Sequence, residues 1–162
     1  MEKDILFRQD GWIFSYRVGG ILIHEGRILL QKPADDDYAI IGGHVAAMES
    51  TEQTLAREFR EELHADVEVG PLLAVGEIFF PWGRLPCHQI ALYYQVSLKR
   101  PEQIPLEGVF HGYDEFQNER VGLDFCWVPL EELPGKTVYP TELMLHILNG
   151  SGEIFHFVSR QL

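Results

Sequence analysis

The chain has 162 residues, enough for one domain that buries roughly 70% of the surface its unfolded form exposes. Its 46% hydrophobic and 23% charged content is that of an ordinary globular protein, which excludes disordered and collagen-like classes. The formal net charge of −12 argues against wrapping long nucleic acid through its phosphates, a mode that needs a basic face. The start, Met1-Glu2-Lys3-Asp4, lacks the basic opening of a signal peptide, and the longest apolar stretch, 12–23, is too short to span a bilayer and carries Arg17. Cys87 and Cys126 fit neither a disulfide framework nor a paired zinc motif, and His24, His88, His111, His146 and His156 show no zinc spacing. The expectation is a single cytoplasmic domain over 1–162 with no membrane partner.

In chain order, Phe14 to Ile23 reads as a buried strand, weakened or bulged at Gly19-Gly20. His24 to Arg27 is a turn, and Ile28 to Lys32 the returning strand of a hairpin. Tyr38 to Ile41 is a short strand running into Gly42-Gly43. Ser50 with Gln53 three residues later is a capping-box pattern, which starts a helix over 51–63. Two long strands follow, near 67–80 and 88–98, joined by the segment 81–86. Residues 100–122 carry no period and read as a long functional loop. Leu123 to Val128 is a strand, 130–133 a helical turn, and Pro140 starts a last helix that ends before Gly150. The closing strand, 153–159, is apolar on both faces through Ile154, Phe155, Phe157 and Val158. That pattern predicts burial inside the domain or against a second copy in a homodimer.

The predicted helix 51–63 carries Glu58, Glu61 and Glu62 at i, i+3, i+4, so three carboxylates share one face beside an apolar stripe of Leu55, Phe59 and Leu63. Neighbouring like charges cost about 0.2–0.5 kcal/mol per pair unless a cation joins them. Glu62 lies next to the apolar stripe and should be partly buried, which a merely solvated charge run would avoid. The acids suit a hard divalent cation, and such a cation can receive a phosphate.

Taken with Gly43, Glu49 and Arg57, the three glutamates follow G-x5-E-x7-R-E-U-x-E-E-x-G-U, U being a bulky aliphatic, and the chain resembles the Nudix hydrolases over roughly 14–148. Three positions depart: Phe59 replaces an aliphatic residue, His64 the glycine that ends the helix in a left-handed conformation, and Ala65 the last bulky residue. The resemblance implies an α/β/α sandwich with a central mixed sheet. It also implies a site that binds Mg2+ or Mn2+ and hydrolyses a nucleoside diphosphate linked to another group. By that resemblance Glu58, Glu61, Glu62 and the Gly42 carbonyl hold metal, Glu61 or Glu62 helps activate water, and Glu49 pairs with Arg57 to brace the loop before the helix.

Outside this stretch, an additional acid of the kind many family members use would come from Asp114, Glu115, Glu119 or Asp124, with Glu119 preferred as catalytic. Arg17 and Lys32 are candidates for phosphate contact or for surface pairing, and Tyr38 and Trp82 for stacking on a base or for packing. The rival readings are a non-catalytic nucleotide-binding module of the same fold and an isomerase or RNA-cap enzyme on that fold. The nucleotide-type substrate itself is not legible from these residues.

Overall fold

The computed structural model describes residues 3–32, 37–116, 119–150 and 152–162, the side chains of 113–122 excepted. In chain order the elements are β1 Leu6–Gln9, β2 Trp12–His24, β3 Arg27–Lys32, β4 Asp37–Ala39, β5 Ile41–His44 and α1 Thr51–Leu63. There follow β6 Val67–Trp82, β7 Leu85–Leu98, β8 Val109–Phe116, β9 Glu119–Pro129, β10 Thr137–Tyr139, α2 Thr141–Asn149 and β11 Phe155–Arg160. The strand path runs β10-β4-β3-β2-β7-β6-β11, with β5 and β1 on β2 and the β8–β9 hairpin on β3. Pairs β2–β7, β6–β11 and β4–β10 are parallel and the rest antiparallel, so the sheet is mixed, as expected.

Strand alternation sorts the apolar side chains into two half-cores. Val18, Leu22, Leu29, Tyr94, Val96 and Phe125 pack with Leu55, Phe59 and Leu63 of α1. On the other face Ile21, Ile28, Leu30, Ala91, Tyr93 and Cys126 pack with Leu143 and Met144 of α2. One helix therefore covers each face of the sheet.

Several expectations change. β2 shows no bulge at Gly19-Gly20: its register with β7 is continuous from Ile13–Cys87 to Leu22–Val96. The irregularity lies instead in β6, between Val69 and Ala74. A Cβ on Gly20 would sit 2.7 Å from the Phe59 ring, so this glycine makes room for the aromatic residue that replaces the signature's aliphatic one. The segment 100–122 is not a loop. Asp66 accepts from Arg100 Nη2 at 2.6 Å and Gln103 Nε2 at 3.1 Å, Trp127 Nε1 donates to the Pro105 carbonyl at 2.8 Å, and Ile104 is buried in the α1 half-core. β8 then pairs along β9. These contacts come from residues far apart in the chain, which is why no local period marks them.

The last strand is not buried on both faces within the chain. β11 is the sheet's edge, Phe157 and Ser159 are buried, and Val158 is 47% exposed. Trp82 closes β6 opposite Leu85, so it belongs to the strand and not to the joining segment 81–86. No helix among the described residues is long and apolar enough to cross a membrane.

Gly20→Ala should cost about 1–3 kcal/mol of unfolding free energy by overpacking. Phe59→Leu combined with it should recover part of that loss, seen in urea unfolding as non-additive effects of the two changes. Strictly additive effects would show that the ring and the glycine do not share the space.

Candidate functional site

Helix α1 begins where the expected capping box sits. Ser50 Oγ accepts from Gln53 N at 3.1 Å and Gln53 Oε1 accepts from Ser50 N at 2.9 Å, satisfying two amides that a helix start leaves open. The helix ends at His64 in the left-handed region (φ 55°, ψ 35°), donating to the Arg60 carbonyl while Ala65 donates to that of Phe59. His64 thus takes the conformation for which a glycine is the usual choice, and its side chain is free in solvent.

Between β5 and α1 the chain turns back through Met48, a fully exposed residue at φ 71°. A non-glycine residue there carries backbone strain. What holds it is the next residue. Glu49 takes three hydrogen bonds from Arg57: Nε to Oε1 at 3.2 Å and to Oε2 at 3.1 Å, and Nη2 to Oε1 at 3.0 Å. Thr54 Oγ1 adds a donor at 2.8 Å and itself accepts from Ala46 N at 3.3 Å. Arg57 Nη1 also reaches Glu58 Oε1 at 3.4 Å and Glu61 Oε2 at 3.1 Å, so one guanidinium serves acids of both loop and helix. Its hydrogen bonds to Glu49 and the charges of Glu58 and Glu61 hold its proton more firmly than usual, against the opposing effect of burial. In turn Arg57, ahead of the contrary effect of burial, keeps the Glu49 carboxyl below the ordinary range.

The three glutamates differ in exposure. Glu62 is buried at 3%, Glu58 largely buried, and Glu61 mostly in solvent. Gly43 lies against Glu58: a Cβ there would come within 2.5 Å of the Glu58 carboxyl carbon. Gly112 of β8 likewise has no room for a Cβ beside the Glu62 carbonyl, which brings β8 onto the end of α1. Among the described residues no three acids, histidines or cysteines converge as a finished metal cage. Magnesium takes one or two carboxylates and completes its shell with waters and substrate phosphates, so an open, all-oxygen set of this kind fits it, and manganese accepts the same donors.

On the other face of β5 and β2 lies a cavity of about 390 Å3. Arg17 lines it, with Phe80, Gln89 and Tyr139 among the other walls. His44 pairs in register with Arg17, and the Trp82 ring stacks on it at 5.9 Å. Burial first, and the Arg17 charge second, lower the His44 pKa to about 4, so its imidazole is neutral near pH 7. Among the described residues Arg17 has no ion pair or hydrogen bond, an unusual state for a half-buried cation in so acidic a chain.

The other expected residues fall elsewhere. Lys32 closes β3 opposite Asp124, whose carboxylate meets His111 Nδ1 at 2.8 Å. Tyr38 packs on the α2 half-core with Lys136 Nζ 5.5 Å from its ring centre. Trp82 packs on His44 and Phe80. Asp114 and Glu115 belong to β8 and Glu119 to β9, and their side chains lie outside the described residues. Sequence reasoning passed over His44, Ser15 and Gln89. The one local signal for Gln89 was an amide between Cys87 and Ala91, which are buried on the same side of the strand.

The Glu49–Arg57 clamp has a testable pH signature. A depressed folded pKa contributes stability that is fully present above the unfolded carboxyl pKa of about 4.3 and is lost as pH falls through the lower folded value. The gap in thermal midpoint between wild type and Glu49→Gln, followed by circular dichroism in EDTA, should hold from about pH 8 to about pH 5 and close below about pH 4. A gap that persists unchanged into stronger acid would mean that the pair's ionisation does not stabilise the loop.

The sequence matches the NUDIX domain over residues 14–145. Among solved structures, a Nudix hydrolase from Nitrosomonas europaea aligns with 91% of this chain and 79% of its own at 18% identity and a TM-score of 0.63. A MutT protein from Bacillus halodurans aligns over 89% and 90% at 16% identity and 0.61. An ADP-ribose pyrophosphatase from Streptococcus suis aligns over 88% and 98% at 18% identity and 0.56. At such identities these likenesses speak for the fold, and the match of the domain itself decides membership. The chain belongs to the Nudix hydrolase family.

Proposed function

We propose that this protein hydrolyses the pyrophosphate bond of a nucleoside diphosphate linked to another group, with Mg2+ or Mn2+ as cofactor. The observation that carries the reading is the Arg57 clamp. It holds the loop after Gly42-Gly43 against the helix that bears Glu58, Glu61 and Glu62, with Glu58 lying on Gly43. Glu58 and Glu62 would hold the metal together with the Gly42 carbonyl. Glu61, exposed and within reach of Arg57, would share ligation or take a proton from the attacking water. When bound, the divalent ion supplies charge neutralisation of the diphosphate and a more acidic water.

The chain's own residues do the positioning. Glu62 is a buried carboxylate on a rigid helix, so its oxygens have little freedom to drift. Arg57 keeps Glu58 and Glu61 from splaying apart and screens their mutual repulsion. Arg17, unpaired among the described residues, offers a planar donor set to substrate oxygens on the opposite face of β2. Glu49 and Arg57 act through the loop they brace, without touching substrate.

Glu62→Gln keeps the shape and removes the charge. It should lower turnover on a confirmed diphosphate substrate by about three orders of magnitude or more while the far-ultraviolet dichroism stays that of wild type. Near-wild-type turnover in that variant, with products identified by mass, would overturn the assignment.

A further inference from the structure

The cavity opposite α1 contains a polar group set differently from its neighbours. Gln89 is 8% exposed and Ser15 is fully buried, and they face each other in register on the parallel pair β2–β7. Ser15 Oγ donates to Gln89 Oε1 at 3.1 Å, which fixes the plane of the amide and uses one of its oxygen's acceptor sites. The amide nitrogen has no acceptor among the described residues, although Gln89 lines the cavity. Two N–H donors on a nine-tenths buried side chain, directed by a buried serine, are left for a ligand.

The rest of the lining narrows what that ligand is. Among the described residues no carboxylate lines the cavity, in a chain with 25 acids, and the charged residue in its lining is Arg17. Gln31, Gln161, Tyr93 and Tyr139 also line it and can both donate and accept, whereas Arg17 and the amide nitrogen of Gln89 only donate, so the edge that meets those two is one of acceptors. Ile78, Phe80, Ala91 and the Tyr93 ring supply apolar wall, which suits the faces of a planar ring. A volume of about 390 Å3 is in the range of pockets that take such groups.

We infer that the cavity receives the nucleobase of the substrate, that it prefers a keto base such as guanine or uracil over an amino base such as adenine, and that Gln89, held by Ser15, sets this preference. Reading adenine's amino edge requires a glutamine to accept and donate together, whereas a carbonyl edge needs only donors. Gln89 is a specificity residue, and Ser15 is a positioning residue that acts through it. The inference rests on the reading that the substrate is a nucleoside diphosphate derivative.

Two measurements keep the layers apart. The first is kcat/KM with Mg2+ on GDP-, UDP-, ADP- and CDP-linked hexoses. The second is calorimetric binding of GMP, UMP, AMP and CMP in EDTA, which does not require hydrolysis. Wild type should favour the guanine or uracil compound over the adenine one by roughly tenfold or more in both. Gln89→Met should bring that ratio to within about threefold, and Ser15→Ala should move it partway, mainly through KM. Failure to hydrolyse any of the four would count against the proposed activity, and the binding ratios would still judge the cavity. A wild-type preference for adenine, or equal binding of all four, overturns the inference, and so does an unaltered ratio in a folded Gln89→Met. If that variant does not fold, as shown by its thermal melt, the wild-type ratio and Ser15→Ala decide.

Discussion

The site depends on one guanidinium. Arg57 sits on the second turn of α1 and donates to Glu49 across the loop and to Glu58 and Glu61 along its own helix. The pair with Glu49 is mostly shielded, multiply hydrogen-bonded and supported by Thr54, unlike the solvent-exposed pairs whose net value is near zero. Removing the arginine would leave a shielded carboxylate unpaired and release the turn at Met48, whose left-handed backbone has no glycine to relieve it. The register of Gly43 against Glu58 would go with it. The proposed metal site, whose ligands would have to be held within a fraction of an ångström, would thus have its tolerance set by a residue outside the reacting groups.

The second constraint is geometric. β5 is four residues long and works on both of its faces. At Gly43 it makes room for Glu58 on the α1 side, and at His44 it stands in register with Arg17 on the cavity side. The side-chain alternation of a strand thus places acidic groups and Arg17, a cation with no ion pair among the described residues, on opposite faces close to each other without letting them neutralise one another. A ligand that crosses β5 at the Gly-Gly pair would meet metal-seeking oxygens at one end and N–H donors at the other. That polarity would suit the proposed diphosphate substrate.

How much of this was legible follows from the distance over which each feature is built. The helix, its capping box and the Glu49–Arg57 pair are specified within fifteen residues, and their spacing carries the chemistry directly. The partial burial of Glu62 followed from its place beside the apolar stripe. β8 and the ordered stretch 100–108 were not legible, because Asp66, Trp127 and Arg27 hold that stretch from elsewhere in the chain. β11 misled for a related reason: apolar residues at 154 and 158 suggest burial, yet the strand sits at the sheet edge with one side covered. The cavity is the extreme case. Ser15 and Gln89 are 74 residues apart, and no pattern along the chain announces that they share a hydrogen bond.

The three departures from the signature show which parts of it are negotiable. Phe59 is larger than the aliphatic residue it replaces, and the added volume is taken up at Gly20, on the sheet face that the ring packs against. Ala65 is smaller, and it is still fully buried in the half-core that Val67 and Ile104 also enter. His64 adopts the left-handed cap with its side chain in solvent, so its cost is confined to the backbone. Each departure is absorbed by a neighbour that changes size or by a side chain that leaves the core. A carboxylate on α1 has no such substitute, since neither a change in volume nor a turn of backbone restores a missing negative oxygen at the Gly43 edge. Packing positions of the signature can drift as long as their partners drift with them, whereas Glu49, Arg57, Glu58 and Glu61 are tied to one another through charge.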